Sequence, residues 1–121
     1  MNRIEDEVIP MTHQCISRVR PITDALYVLN GKWKMEVILV LLQHEKRRFK
    51  ELQKDISGIS AKVLSAVLKD LEEHHILLRT TLDSASLVVE YQLTDYGKSL
   101  KQTLADFVKL GMEHRKKVMG K

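Results

Sequence analysis

Residues 49–75, FKELQKDISGISAKVLSAVLKDLEEHH, constrain the fold of this chain more than any other stretch. Its first part carries apolar residues at spacings of three and four, namely Phe49, Leu52 and Ile56. That spacing predicts one face of a helix. Gly58 then permits a sharp turn, and Ser60 brings a hydroxyl that can cap the N-terminus of a following helix. The stretch therefore predicts two helices joined by a tight turn.

The second of these helices is predicted to be amphipathic. Its apolar stripe is Val63, Leu64, Val67, Leu68 and Leu71, and its opposite side holds Lys62, Ser65, Ala66 and Lys69. Such a helix buries one face and presents small and cationic side chains on the other. A DNA-reading helix-turn-helix needs both properties, because its second helix enters a major groove about 12 Å wide. A plain helical hairpin that binds nothing remains the alternative on periodicity alone.

The flanking sequences favour the DNA-binding interpretation. Lys46-Arg47-Arg48-Phe49-Lys50 precedes the first helix and puts four cations where that helix would meet phosphate. Behind the second helix, residues 76–82 and 87–93 are rich in β-branched and aliphatic side chains, which is typical of strands. Asp83-Ser84-Ala85-Ser86 between them has turn chemistry. A helix-turn-helix followed by a two-stranded hairpin is a winged helix.

The N-terminal third of the chain predicts an arm and two helices. Residues 1–20 show no sustained period and are expected to form an arm that packs on another surface. A helix follows from Pro21 to Asn30-Gly31, with a predicted buried face of Ile22, Ala25, Leu26 and Leu29. Residues 33–44, WKMEVILVLLQH, are apolar all round from Val37 to Leu42, which predicts a core helix. A buried strand is the competing interpretation, and the length of the apolar segment favours the helix.

The C-terminal part predicts one long amphipathic helix. Thr94 can cap it, Asp95 suits its first turn, and it is expected to run to about Lys117. One side carries Leu100, Leu104, Phe107, Val108, Gly111 and Met112. A helix of roughly 35 Å is longer than a small domain can bury. Leu100, Leu104, Phe107, Val108 and Met112 are therefore predicted to form a dimer interface.

Composition narrows the functional class. The 121 residues are expected to form one domain with a net charge of +4. Residues 98–121 carry seven basic and two acidic residues, whereas residues 80–97, the expected wing, carry three acidic residues and no basic one. The single cysteine, Cys15, excludes an internal disulfide framework. The lack of a signal peptide or an 18-residue apolar run predicts a cytoplasmic protein without a membrane segment.

Several classes of activity find no support in the sequence. The five histidines are His13, His44, His74, His75 and His114, and none has the spacing of a zinc site with cysteines. No nucleophile elbow, Walker loop or dinucleotide fingerprint occurs. The expectation is a protein that is not an enzyme and needs neither metal nor cofactor.

With its elements placed, the chain resembles the HxlR family of winged-helix regulators, relatives of the MarR group. The motifs that carry the resemblance lie within residues 20–112: Gly31-Lys32-Trp33-Lys34, Arg48-Phe49-Lys50-Glu51-Leu52, Ile59-Ser60-Ala61-Lys62-Val63-Leu64, Leu68-Lys69-Asp70-Leu71-Glu72, Arg79, and Val89-Glu90-Tyr91-Gln92-Leu93-Thr94-Asp95-Tyr96-Gly97. The resemblance implies a homodimeric bacterial transcription factor that binds a palindromic operator. It also implies that N- and C-terminal helices build the dimer.

The chain departs from the family pattern at three places. Arg20 precedes Pro21 where family members often have a cysteine, and some of them use that cysteine to sense oxidants or aldehydes. Cys15 lies five residues earlier and is the candidate for any redox response. His75 replaces the usual glycine at the end of the recognition helix, where a left-handed residue costs about 1 kcal/mol more than glycine. The wing lacks the basic residue that family members usually have before Val89-Glu90-Tyr91.

The candidate DNA-binding residues fall into two groups. The first group, predicted to contact base edges, is Lys62, Ser65 and Lys69, with Ser60 at the start of the same helix. The second group, predicted to contact phosphates, is Lys46, Arg47, Arg48, Lys50 and Arg79. The predicted organisation is an arm over 1–20, the helix-turn-helix and wing over 47–93, and a dimerisation helix over 94–119. The expected function is sequence-specific transcriptional regulation with a redox or small-molecule signal. A winged helix that binds another protein is the alternative, and the acidic wing favours it slightly.

Overall fold

The computed structural model describes residues 19–83 and 88–120, and the side chains of Val19 and Asp83 are outside that description. Within these residues the elements are α1 (Val19–Leu29), α2 (Lys34–Gln43), α3 (Phe49–Asp55), α4 (Ala61–Glu73), β1 (Leu77–Asp83), β2 (Val88–Leu93), α5 (Asp95–Lys98) and α6 (Lys101–Met119). The predicted fold class, mainly helical with a helix-turn-helix and a two-stranded wing, is confirmed.

The chain divides into two compact units, Met1–Gly31 and Lys32–Lys121. In the first unit, α1 begins at Val19 and ends before Asn30, close to the predicted bounds. Its predicted buried face is wrong at three positions, because Ile22, Ala25 and Leu26 are exposed and only Leu29 is buried. Periodicity predicts that a helix has an apolar side, but it does not supply the surface that would cover that side.

The second unit has a core of apolar side chains drawn from both its helices and its strands. The buried residues are Val37, Ile38, Leu41, Leu52, Ile56, Ile59, Leu64, Leu68, Leu71, Ile76, Leu77, Tyr91, Leu93 and Leu104. Helix α2 packs on α3 and β2, and α4 packs on β1. Residues 34–43 are a helix, as predicted, but burial on all sides is wrong because Leu39 is 39 % exposed.

The wing is an antiparallel hairpin. Leu77 pairs with Leu93 at its base, and the register is irregular between Thr81 and Asp83. A one-residue bridge extends this sheet, since Arg47 N–H donates to Tyr91 O at 3.0 Å and Tyr91 N–H donates to Arg47 O at 2.8 Å. The predicted turn at Asp83-Ser84-Ala85-Ser86 lies almost wholly outside the described residues.

The C-terminal helix does not start at Thr94 and continue unbroken, as the sequence predicted. Thr94 caps only the short α5, and Ser99 and Leu100 separate α5 from α6. The amide of Leu100 bonds to Gly97 O, a spacing of three that tightens the chain before α6 starts. At 19 residues, α6 is about 28 Å long instead of the predicted 35 Å.

Gly97 lets α5 approach the backbone at the start of the wing. A Cβ at Gly97 would lie 2.2 Å from the carbonyl oxygen of Ile76, so only glycine permits this approach. Thr94 completes the junction, because its hydroxyl lies 2.7 Å from His75 O and accepts from Gly97 N–H at 2.9 Å. The Thr94–Gly97 segment therefore fastens the end of the wing to the end of α4.

Candidate nucleic-acid interface

Helix α4 presents the face that the sequence predicted. Ser60 caps it, since the Ser60 Oγ accepts from the backbone N–H of Val63 at 3.1 Å. Leu64, Leu68 and Leu71 are buried and Val67 is half-buried. The opposite side is exposed and holds Lys62, Ser65, Ala66 and Lys69. One predicted member of the apolar stripe is wrong, because Val63 is 38 % exposed.

Two contacts from the start of α2 hold the helix-turn-helix in place. The Lys34 Nζ lies 2.5 Å from the Asp70 carboxylate, which ties α2 to the second half of α4. The Trp33 ring lies under the turn, 4.0 Å from where a Cβ of Gly58 would be, and Gly58 has a left-handed φ of 85°. Lys32 Nζ in turn lies 4.6 Å from the centroid of the Trp33 ring. These contacts give the Lys32-Trp33-Lys34 sequence a structural role.

Arg47 stands apart from the other cations ahead of α3. Its guanidinium donates two hydrogen bonds to Asp55, each 2.9 Å long, and Arg47 Nη1 lies 3.7 Å from Glu51 Oε2. The Arg47 side chain is 23 % exposed. The hydrogen bond from Arg47 lowers the pKa of the Asp55 carboxyl, and the same bond raises the pKa of Arg47. Arg47 thus links both ends of α3, directly before the turn that leads to α4.

Lys46, Arg48 and Lys50 are exposed. The backbone of Arg48 is extended at the N-cap of α3, and its N–H donates to Glu51 Oε1 at 2.8 Å. Arg48, Lys50 and the β2 residues Val88 and Val89 line an open cleft between α3 and the wing. Arg48 and Lys50 therefore lie beside the wing. The wing strands themselves carry no basic residue after Arg79.

Arg79 lies beside α4. It is exposed on β1, opposite Tyr91, and lines an open cleft of about 300 Å³ with Ser65, Lys69 and Glu72. Two predicted base-reading residues and one predicted phosphate residue are thus brought together at the base of the wing. Glu72 supplies the negative wall of that cleft, on the second half of the helix.

Comparison with known proteins decides the family. The model of the HxlR-like helix-turn-helix family matches residues 28–119, most of the chain. The chain belongs to the HxlR-like helix-turn-helix family. It is 34 % identical over 102 residues to YdzF, an HTH-type transcriptional regulator of Bacillus subtilis (strain 168), covering 84 % of this chain and 94 % of YdzF. It is 37 % identical over 95 residues to YtcD of the same organism, covering 78 % and 75 %.

Solved structures of transcriptional regulators have the same fold as this chain. The redox regulator HypR in its reduced form superposes with a TM-score of 0.74 at 27 % identity, covering 84 % of this chain and 99 % of HypR. A MarR-family transcriptional regulator from Enterococcus faecalis V583 gives 0.72 at 29 % identity, covering 90 % and 96 %. Reduced YodB from B. subtilis gives 0.64 at 30 % identity, covering 88 % and 94 %. The HxlR-like chain is a transcriptional regulator with a helix-turn-helix and is not an enzyme.

The predicted dimer-interface residues of this HxlR-like chain separate into two sets. Leu104 is 2 % exposed and Leu100 is half-buried, so these two offer little surface on the single chain. Phe107, Val108 and Met112 are exposed, and Met112 reaches 66 %. The outward apolar surface of α6 therefore begins at Phe107, about two turns after the predicted start at Leu100.

Other predicted features of the HxlR-like chain have different outcomes. Cys15 lies outside the described residues. Among the described residues, no group of three or more His, Cys, Asp or Glu could hold a metal ion, and no helix is long and apolar enough to cross a membrane.

Sequence reasoning missed the two roles of Arg47. Its guanidinium pairs with Asp55 eight residues later, and its backbone bridges to Tyr91. Glu51, placed three residues after Arg48 as a capping glutamate would be, signalled the start of α3 but neither role of Arg47.

Proposed function

We propose that this HxlR-like regulator binds a palindromic operator as a homodimer, with the N-terminal half of α4 in the major groove. One observation carries the proposal. Helix α4 buries Leu64, Leu68 and Leu71 while Lys62, Ser65 and Lys69 stay exposed on its other side. The winged helix spans 47–93 in this scheme, between an arm at 1–20 and a dimerisation helix at 94–119.

The acidic residues of α4 limit how much of the helix enters the groove. Asp70, Glu72 and Glu73 all lie in its second half. Lys34 pairs with Asp70, but Glu72 and Glu73 are exposed and would be repelled by phosphate. Lys62 and Ser65, in the first turns, are therefore assigned to base edges, where lysine donates to guanine and a serine hydroxyl can contact a base or a neighbouring phosphate. Ser60 and Lys69 are placed at the rim of the groove.

Phosphate contacts are assigned to Lys46, Arg48, Lys50 and Arg79. All four are exposed, and Arg48 and Lys50 lie beside the wing. Arg47 is given a scaffold role instead, because its guanidinium is engaged by Asp55 through two hydrogen bonds. These four cations then position the protein on the duplex, and α4 supplies the sequence preference.

A salt series tests this division of labour. An operator is first selected from a pool of random duplexes with the full chain, and affinity is then measured on that operator and on random DNA. Each phosphate contact contributes about 0.9 to the slope of log affinity against log salt. We expect Arg48→Ala to weaken both duplexes alike and to flatten the slope. Lys62→Ala should cost about 1–3 kcal/mol on the operator and much less on random DNA.

Arg47→Ala is the matched control for Arg48→Ala. If the salt slope is unchanged in Arg47→Ala and stability falls, Arg47 is a scaffold residue as proposed. Equal losses on both duplexes for Lys62→Ala would mean that this face of α4 does not read bases. Failure to select any operator would favour the alternative of a protein-binding winged helix.

The homodimer is assigned to the exposed apolar residues of α6. Phe107, Val108 and Met112 are exposed on a helix of 19 residues that ends the fold. Light scattering on the intact chain should give twice 14.0 kDa at micromolar concentration. Val108→Glu should shift the chain to the monomer, and a native chain that is monomeric at that concentration contradicts the symmetric-operator scheme.

Any redox response is assigned to Cys15, the only thiol in the chain. HypR is described as a redox regulator, and YodB has been solved in a diamide-treated form. We expect diamide to change the operator affinity of the native chain through a disulfide between two Cys15 thiols or with a small thiol. Cys15→Ser should abolish that change. Equal behaviour of both proteins would leave small-molecule binding as the remaining signal.

A further inference from the structure

Val63 is an apolar side chain in an unusual place. It is exposed in the first turn of α4, whereas Leu64, Leu68 and Leu71 of the same predicted stripe are buried. The geometry of the helix explains the difference. Val63 lies at the edge of the stripe, next to the exposed side that holds Lys62 and Ala66. The packing of α4 on its neighbours therefore leaves part of the Val63 side chain exposed to solvent.

The neighbours of Val63 are small or cationic. Lys62 precedes it, and Ala66 lies three residues later, on the adjacent turn of the same surface. Ser60 caps the helix just before, through the backbone N–H of Val63 itself. Because Ala66 carries only a methyl group, it allows the first turn of α4 to approach an opposing base pair closely.

In the major groove, one base carries an apolar group that a valine can recognise. Thymine presents a C5-methyl group beside its O4 acceptor, and protein methyl groups contact it directly. The residues at the N-terminal end of a recognition helix are the ones that reach base edges. An exposed valine at that end has the right chemistry and the right place.

We propose that Val63 is a specificity-determining residue that reads the 5-methyl group of a thymine in each operator half-site. The inference rests on the proposed function, since it requires the first turn of α4 to enter the major groove. Lys62 then supplies polar discrimination and Val63 apolar discrimination at adjacent base pairs. Burying one methyl group is worth about fourfold in affinity.

Deoxyuridine substitution tests the inference because it removes only the 5-methyl group and leaves the hydrogen-bonding edge intact. Each thymine of the selected operator is replaced in turn within one half-site. Affinity is measured for the native chain, Val63→Ala and Val63→Thr, with Val67→Ala as the control one turn further along the helix. Thermal unfolding of each variant verifies that it is folded.

We expect the native chain to lose about fourfold in affinity at one thymine position, and Val63→Ala to lose less than about twofold at that position. Val63→Thr, which keeps one methyl group, should retain part of the discrimination, and Val67→Ala should retain all of it. If Val63→Ala shows the same deoxyuridine pattern as the native chain, the inference is overturned.

The same measurements separate failure of the inference from failure of the proposed function. If an operator is selected and Lys62→Ala weakens it specifically, α4 reads bases, and an unchanged methyl effect in Val63→Ala refutes only the role of Val63. If no operator is selected, or Lys62→Ala weakens operator and random DNA alike, the proposed function fails and the role of Val63 fails with it.

Discussion

His75 is the residue whose replacement should stabilise this chain most clearly. It follows α4 with a left-handed φ of 63° and is the only non-glycine among the described residues with a positive φ. Two backbone hydrogen bonds enforce that conformation: Ile76 N–H donates to Leu71 O at 2.9 Å, and His75 N–H donates to Glu72 O at 3.0 Å. These bonds form a Schellman motif, in which glycine is the usual residue.

The expected gain follows from two opposing terms. A side chain in the left-handed region costs about 1–2 kcal/mol, which His75→Gly would recover. Glycine also gives the unfolded chain more freedom, which costs about 0.5–1 kcal/mol. We therefore expect His75→Gly to raise the free energy of unfolding by about 0.5–1 kcal/mol. For a chain of this size, that shifts the thermal midpoint by roughly 2–5 °C.

Urea unfolding followed by circular dichroism, at one fixed protein concentration, measures the difference. His75→Ala is the decisive comparison because it removes the imidazole but keeps a Cβ, so it should gain nothing. His74→Gly is the positional control, since His74 has a φ of −93° and glycine there should lower stability. If His75→Ala stabilises as much as His75→Gly, the imidazole and not the backbone conformation was unfavourable, and the reasoning is refuted.

Two further predictions concern stability. Gly97→Ala should destabilise the fold by at least about 2 kcal/mol in urea unfolding, because its Cβ would lie 2.2 Å from Ile76 O. Gly111→Ala, with nothing within 4 Å, should instead stabilise by about 0.5–1 kcal/mol, and equal effects of the two would contradict this. The lowered pKa of Asp55 means that its pairing with Arg47 stabilises the fold above pH 3.8 and is lost as the pH falls through the lowered value. The stability difference between the native chain and Asp55→Asn should therefore be constant near neutral pH and shrink below pH 3.8; a difference that persists in acid would contradict the assignment.

The sequence by itself determined the order of elements and the exposed face of α4. The spacing of leucines at 64, 68 and 71 specifies which side of that helix is buried, and the richness of residues 76–82 and 87–93 in β-branched and aliphatic side chains predicts the wing strands. Local chemistry also determined the caps at Ser60 and Thr94. The left-handed residue was located by the family resemblance instead, because His75 stands where family members usually have glycine.

Only the tertiary structure decided which cations are engaged. Lys46, Arg47, Arg48 and Lys50 are equivalent in sequence, and the pairing of Arg47 with Asp55 depends on how α3 turns its ends toward one another. The same holds for Leu39 and Val63, which are apolar by sequence yet exposed. Periodicity predicts which face of each helix is apolar. Whether a residue on that face is buried depends on which neighbouring elements pack against it.

The break between α5 and α6 has the same origin. Nothing in residues 94–101 forbids a continuous helix, since Gly97 alone is tolerated within one. The interruption follows directly after Gly97, which lies against the backbone of Ile76, a contact between segments twenty-one positions apart in sequence. Spacing along the chain predicts which residues share a helix face, whereas close contacts between distant segments decide where each helix must end.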